Sequence, residues 1–214
     1  MKTTNNALAL ATLALLAACS SSSGDGEPGG STAELGQQAA ETYAQIAFQA
    51  YGDAIEAATA MDDALTDFVN DPSSDSQDAA KAAWLAAREP YLQTEVYRFY
   101  DGPIDNPTDG PEGALNAWPM DEQHVDYTRD SAVSGIINDA ELPINEATLR
   151  GANEAGGEEN IAVGYHPIEF LLWGQDDTDP SNGLPGQRSF TDYLTEGGTA
   201  ENQVRRGEYL DLLG

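Results

Sequence analysis

The chain has 214 residues and a formal net charge of −28, because 37 acidic side chains outnumber 9 lysines and arginines. A field of this sign repels polyanions and attracts cations, so the composition excludes nucleic acid as a partner. The single cysteine, Cys19, excludes a disulfide framework within the chain and a thiolate-rich metal site.

The N-terminus has the pattern of a secretory signal. A positive region at Lys2 precedes the apolar stretch 7–18, which ends in small residues directly before Cys19. This boundary resembles the lipobox that the lipoprotein signal peptidase cuts. We therefore expect removal of residues 1–18 and attachment of diacylglycerol to the Cys19 thiol. The apolar stretch is too short for a transmembrane helix, which needs ~20 residues.

A tether is expected over residues 19–31, where Ser and Gly dominate and too little apolar surface exists to offset backbone entropy. Ser20, rather than Asp, follows the cysteine, which resembles the pattern sent to an outer membrane. The predicted location is the cell envelope, at the outer membrane facing the periplasm or the cell surface. Contact with the membrane would be through the lipid alone.

Two long helices are predicted after the tether. Apolar side chains recur at helical spacing from Leu35 to Phe68, and a second helix should begin after Ser74 or Asp75 and run to about Tyr100. One stripe of this second helix mixes aromatic and charged residues, namely Trp84, Arg88, Tyr91, Glu95 and Phe99. Their shared face predicts that the two charged side chains point inward and need partners.

The rest of the domain, which spans residues 32–214, is also expected to be helical. Proline and glycine mark a long loop over 101–119, and shorter helices are expected over about 121–138, 145–153, 166–173 and 199–213. No alternating strand pattern stands out. The predicted fold class is all-α, an up-down helical bundle with long Pro/Gly-rich loops.

The chain has two histidines, and His166 has a carboxylate three residues later. His166 and Glu169 would lie on one helix face, where an imidazole nitrogen and a carboxylate oxygen can bind one divalent or ferric ion. An alternative is a capping box, in which Pro167 is the first helical residue, His166 the cap, and Glu169 bonds back to the cap amide. His124 is either a ligand in an acidic cluster or a polar helix position.

Four ordered motifs resemble the imelysin family, which includes the insulin-cleaving membrane protease and iron-regulated protein A-like proteins. They are Gly164-Tyr-His-Pro-Ile-Glu169, which matches a Gly-x-His-x-x-Glu signature, Arg88-Glu-Pro-Tyr91 with 95–105, Asn116-Ala-Trp-Pro119 with Asp126-Tyr127, and Gly156-Gly-Glu-Glu-Asn160. The resemblance implies a helical fold of two related lobes. It also implies that this chain holds the first lobe and the signature segment and lacks most of the second.

The resemblance further implies a role in bacterial iron acquisition at the cell envelope, with a metal site on His166 and Glu169. Glu95 is the best additional ligand from the predicted stripe. The residues expected around these ligands are Arg88, Arg98, Asp126 and Tyr127. Oxygen donors with one imidazole suit iron, or another divalent or ferric ion. The expected partners are this ion and proteins of iron uptake.

Two other functions stay open at the level of sequence. A metallopeptidase could use the His166 and Glu169 pair, although the chain has no His-Glu-x-x-His motif and one carboxylate cannot readily serve as both ligand and general base. Whether the chain is an enzyme is therefore left undecided. A module that binds haem or a protein partner without bound metal is the other alternative.

Overall fold

The computed structural model describes residues 31–108, 110–176 and 185–214. The predicted signal peptide, Cys19 and the tether up to residue 30 lie outside the described residues. Residues 40–214 form one compact unit, while residues 31–39 belong to a separate one. None of the described helices combines the length and the apolar character that crossing a membrane requires.

The long N-terminal helix is confirmed as α1 (Thr32–Asn70). Its buried side chains lie in the second half, at Ala54, Met61, Leu65 and Phe68. These positions are separated by three, four or seven residues, so they form one face of the helix. Ile46 and Ile55, which share the predicted apolar pattern, are exposed. The pattern therefore becomes a packed face only from Ala54 onward.

Helix α2 (Ser74–Gln93) begins at a capping box, in which the Ser73 side chain accepts from the Ser76 amide and Ser76 returns the bond. Two predicted stripe residues, Trp84 and Tyr91, are buried on its inner face. A buried polar residue, Gln77, joins them and donates to the carbonyls of Leu172 and Arg188.

The predicted extension of α2 to Tyr100 is wrong. After α2 ends, residues Thr94–Tyr97 form a 3₁₀ helix, which advances about 120° per residue instead of about 100°. The stripe therefore rotates away from the core: Glu95 and Phe99 are exposed, while Thr94 and Arg98 are buried. The inward orientation predicted for Glu95 is wrong for this reason.

Short helices separated by turns and loops follow in the rest of the described chain. They are α3 (Glu112–Asn116), α4 (Glu122–Val125), a 3₁₀ helix at Ile136–Asn138, α5 (Glu146–Ala152), α6 (Tyr165–Trp173), a 3₁₀ helix at Phe190–Tyr193 and α7 (Gln203–Leu213). With no strand among the described residues, the all-α class is confirmed.

The single helix expected over 121–138 is present only as α4 and a 3₁₀ turn. Asp126 ends α4 in an extended conformation, and Gly135 has a φ of +88°. A Cβ on Gly135 would lie 2.3 Å from the Val125 carbonyl carbon, so the two segments pack backbone to backbone. A continuous helix could not make this close approach.

Helix α6 packs against α2, α3, α4 and α7, and is therefore central to the compact unit. Six of its residues are buried, namely Tyr165, Pro167, Ile168, Phe170, Leu171 and Leu172. Around it, the Tyr193 hydroxyl donates to the Leu171 carbonyl at 2.7 Å, and the Tyr209 hydroxyl donates to the Ala162 carbonyl at 2.7 Å. The α6 residues that remain accessible are those considered next.

Candidate functional site

One narrow face of α6 reaches the surface, and it carries His166, Glu169 and Trp173. These residues are three and four positions apart, so they lie in a row along the helix. The Nδ1 atom of His166 lies 3.0 Å from Oε2 of Glu169, and the two side chains are 15% and 43% exposed. The predicted pair therefore is brought together, with access from solvent.

The start of α6 tests the capping interpretation of this pair. The cap is Gly164, whose φ is +94° and which provides no side-chain bond. His166 is therefore the second helical residue rather than the cap, and Glu169 bonds to its imidazole instead of a backbone amide. The capping-box interpretation is wrong. Gly164 is required because a Cβ there would lie 2.5 Å from the Leu115 carbonyl oxygen.

The contact between His166 and Glu169 suits a metal ion in either of two arrangements. Two ligand atoms at ~2.1 Å from a metal and ~90° apart are ~3.0 Å from each other, which fits joint coordination by Nδ1 and Oε2. Alternatively, Nδ1–H donates to Glu169 and Nε2 coordinates, the arrangement in which a carboxylate orients a ligating imidazole.

Protein donors near the pair are few. Among the described residues, no group of three or more His, Cys, Asp or Glu side chains could hold a metal ion together. The carboxylates of Glu122 and Asp176 line the same cleft as the pair, but they do not join it in such a group. The described residues therefore offer two donors, and the rest of a coordination sphere must come from elsewhere.

An aromatic cleft of about 440 Å³ adjoins the pair. Its apolar wall consists of Trp84, Leu85, Trp118, Met120, Phe170 and Trp173. The Trp118 ring lies 4.7 Å from the His166 ring at an angle of 49°, yet its side chain is mostly exposed. The Lys81 ammonium lies over the Trp173 ring at 5.7 Å. The pair thus lies beside a largely aromatic wall.

The wall of the cleft is held in place from behind. Trp84 donates its Nε1–H to the Tyr165 carbonyl at 2.9 Å and contacts the Trp173 ring edge-on at 5.4 Å. The Arg88 guanidinium lies 5.6 Å from the Trp84 ring and 4.9 Å from the Tyr165 ring, and Nη1 donates to Asn116 at 2.5 Å. Arg88 therefore supports the wall rather than the pair directly.

The structure places Glu95 apart from the His166 and Glu169 pair. Glu95 does not line the cleft, and its Oε1 lies 3.4 Å from Nη2 of Arg98. Arg98 is buried and also bonds to Glu112. The predicted third ligand is therefore engaged in a surface ion pair, and Arg98 ties the 3₁₀ helix to α3.

Asp126 and Tyr127 belong to a buried ionic network. The fully buried Asp126 carboxylate accepts from Arg188 at 2.8 Å and from Arg206 at 2.7 Å. Tyr127 donates to Asp192 at 2.5 Å, and both arginines lie over the Tyr127 ring. The network meets α6 at Phe170, whose ring is 5.3 Å from the Arg188 guanidinium.

Electrostatics in this network favour an ionised Asp126. Burial by itself would raise the pKa of Asp126, but the Arg206 hydrogen bond and the charges of Arg188 and Arg206 outweigh it and hold the pKa below its usual range. For Tyr127, burial and the bond to Asp192 raise the pKa to about 12, against the lowering effect of Arg188. Tyr127 is therefore neutral and acts as a hydrogen-bond donor.

Sequence reasoning missed Arg188, Asp192 and Arg206 as partners of Asp126. The sequence offered one signal, which is the scarcity of positive charge. An arginine in so acidic a chain can pair with many exposed carboxylates, so an arginine that is buried instead indicates a specific partner in the interior. The second histidine, His124, makes a structural contact instead of joining the pair. Its Nε2 lies 3.1 Å from the Ala152 carbonyl oxygen.

Comparison with known proteins gives two matches. The family model described as Imelysin matches residues 47–213 of this chain. The iron-regulated protein A of Synechococcus elongatus is 29% identical over 129 residues, which cover 60% of this chain and 29% of that protein. The match thus spans less than a third of the relative's length.

Proposed function

Because this chain belongs to the imelysin family, we propose that it is a metal-binding protein of iron acquisition at the cell envelope. The observation that carries the proposal is the pair of His166 and Glu169, whose Nδ1 and Oε2 atoms are 3.0 Å apart on the accessible face of α6. The name of the matched relative, an iron-regulated protein, supports iron as the metal. The lipid on Cys19 is part of the same proposal.

The chemistry of the pair suits iron or another divalent or ferric ion. An imidazole nitrogen and a carboxylate oxygen are donors that such ions accept, and a thiolate-seeking metal would find no cysteine in the part of the chain that the structure describes. The net charge of −28 adds to this preference, because an acidic surface raises the local concentration of cations. Partial exposure leaves an entry path from solvent.

The proposal does not extend to peptide hydrolysis. In a peptidase that used this pair alone, with both residues as ligands, Glu169 would also have to serve as general base, and one carboxylate cannot readily do both. Chelator-sensitive cleavage of an unfolded substrate by the wild type, lost in Glu169→Gln, would favour the enzyme. If the chain is instead a binding module without bound metal, substitutions of His166 or Glu169 should not alter metal binding.

Calorimetric titration of the full chain in detergent with ferrous and nickel ions tests the proposal. We expect His166→Ala and Glu169→Gln each to weaken binding by about 10–100-fold, since each removes a ligand or the group that orients one. His124→Ala and Glu208→Gln are matched controls, because His124 contacts a carbonyl and Glu208 lies on the exposed side of α7.

Thermal unfolding of the same variants separates binding from stability. Glu169→Gln keeps the size and hydrogen bonding of the side chain, so its melting temperature should stay close to that of the wild type. Unchanged metal affinity in both pair variants contradicts the proposal, and so does an equal loss in the controls.

A further inference from the structure

The walls of the cleft beside His166 are larger and more apolar than a hydrated ion needs. Three indole side chains, those of Trp84, Trp118 and Trp173, line it together with Phe170. Trp118 is 67% exposed, although an indole of this size usually buries most of its surface. An aromatic surface left open at the edge of a polar pair is typical of a site that binds an organic ligand.

The donor count points in the same direction. Metal ions take four or more ligands, and the described residues provide His166 and Glu169 with no third side chain grouped with them. At least half of the coordination sphere must therefore come from groups other than the side chains in the described part of the chain, and water or another molecule can supply them. A molecule that supplied these donors would lie against the adjoining wall, because that wall begins at Trp118, 4.7 Å from the imidazole ring.

We infer that the site takes its metal as a complex with a planar, aromatic chelator, whose rings lie on the tryptophan wall while His166 and Glu169 fill open coordination positions. This inference rests on the proposed function, since it names the form in which that same site receives the ion. The cleft volume of about 440 Å³ falls in the range of small-molecule sites, which is ~300–1,000 Å³.

Charge restricts the chelate further. Three carboxylates line the cleft, those of Glu122, Glu169 and Asp176, while one ammonium, that of Lys81, lies over the Trp173 ring. An anionic complex would be repelled by the net charge of −28. A neutral complex is not repelled, whereas a cationic complex is attracted and also gains from the faces of the indole rings.

The wall is preorganised for such a ligand. The hydrogen bond from Trp84 to the Tyr165 carbonyl, at 2.9 Å, fixes one indole, and its edge contact at 5.4 Å fixes Trp173 against it. Arg88 packs on the far side of Trp84. Because these side chains are already ordered, binding a rigid aromatic chelator loses little conformational entropy.

The test compares three probes on the full chain: nickel ion alone, the one-to-one complex of nickel with 1,10-phenanthroline, and phenanthroline alone. This complex is cationic, and its phenanthroline ring system is planar. Its nickel ion keeps coordination positions that protein ligands can fill. We expect it to bind about tenfold or more tightly than nickel alone, with quenching of tryptophan fluorescence. Phenanthroline alone should bind weakly.

Trp118→Ala should lower the affinity for the complex to about that for nickel alone, so that the tenfold preference for the complex is lost. Trp118→Phe, which keeps an aromatic face, should recover part of the preference. His166→Ala should weaken the binding of both. Phe48→Ala is the matched control, because Phe48 is an exposed aromatic residue on α1 that does not line the cleft. Thermal unfolding of each variant verifies that it is folded.

The outcomes separate this inference from the proposed function. Equal affinity of the wild type for nickel and for its complex overturns the inference and leaves the proposed function in place. Binding of phenanthroline alone as tightly as the complex, independent of His166, also overturns it. Failure of both nickel probes to bind overturns the two together, whereas preference for the complex that requires both Trp118 and His166 supports both.

Discussion

At the scale of single residues, the two sites depend on different kinds of charge. His166 and Glu169 are partly exposed, so water can replace a lost hydrogen-bond partner of either side chain. Asp126, in contrast, has no exposed surface and receives bonds from two arginines that are themselves buried. Removing a partner from such a group leaves an uncompensated charge in the interior, which is far more costly than losing a surface contact.

Asp126→Asn should therefore lower the free energy of unfolding by about 3–5 kcal/mol, because Arg188 and Arg206 lose the negative charge between them. Urea denaturation at pH 7 measures this change. Asp63→Asn is the matched control, since Asp63 is exposed on α1 and should shift stability by less than about 0.5 kcal/mol. A loss below about 1 kcal/mol for Asp126→Asn contradicts the structural role of the network.

The same measurement has a predicted pH dependence. The pKa of Asp126 is lower in the folded chain than in the unfolded one, where it is ~3.9, so its contribution to stability is complete above that value. It is lost as the pH falls below ~4 and through the folded pKa. The wild type should therefore lose more stability than Asp126→Asn does between pH 5 and pH 3.

At the scale of elements, helix periodicity predicted α1, the body of α2, α5 and α6 to within a few residues. The errors fall where a tertiary contact overrides local preference. The helix expected over 121–138 is broken at Asp126, whose carboxylate binds arginines distant in sequence. Glu95 points outward because the chain continues from α2 as a 3₁₀ helix. The candidate pair was predictable because it lies within one helical turn. The cleft was not, since Trp118 and Trp173 come from separate segments.

Gly164 is the residue that sets the start of α6 and with it the position of His166. Gly164→Ala should lower the free energy of unfolding by at least about 1–3 kcal/mol, which is the usual effect of a strained backbone. The φ of Gly164 is +94°, and the added Cβ would clash with the Leu115 carbonyl oxygen. Metal affinity should fall as well, since the first turn must shift.

Gly151→Ala provides the comparison for this prediction. Gly151 lies in α5, and the position that an added Cβ would occupy has open space for 4 Å around it, so alanine there should leave stability unchanged or raise it by about 0.4–1 kcal/mol. Urea denaturation and nickel titration of both variants check the pair. Equal stability of the two alanine variants contradicts the argument.

At the scale of the whole molecule, the helical unit follows a predicted signal peptide and tether. The family match covers residues 47–213, while the predicted signal and lipid site precede it in the sequence. The matched segment corresponds to 29% of the relative from Synechococcus elongatus, so what the whole of that protein does is not transferred to this chain.

The anchor proposed at Cys19 has a direct test in a bacterial host. The wild type should incorporate labelled palmitate and enter the detergent phase on phase separation, because diacylglycerol on the thiol makes it a membrane protein. Cys19→Ser should do neither and should keep residues 1–18, whereas Ser21→Ala should behave as the wild type. Normal processing and membrane retention of Cys19→Ser would refute the anchor.

The separation of Asp126 and Arg206 by 80 residues also predicts an order of events during folding. A chain that emerges from its N-terminus exposes Asp126 before Arg188 and Arg206, so this carboxylate stays hydrated until both arginines have followed. Closing so long a loop is slow compared with forming the local helices. The core of the compact unit is complete only once α7 has packed, because Tyr209 and Leu210 of that helix are buried in it.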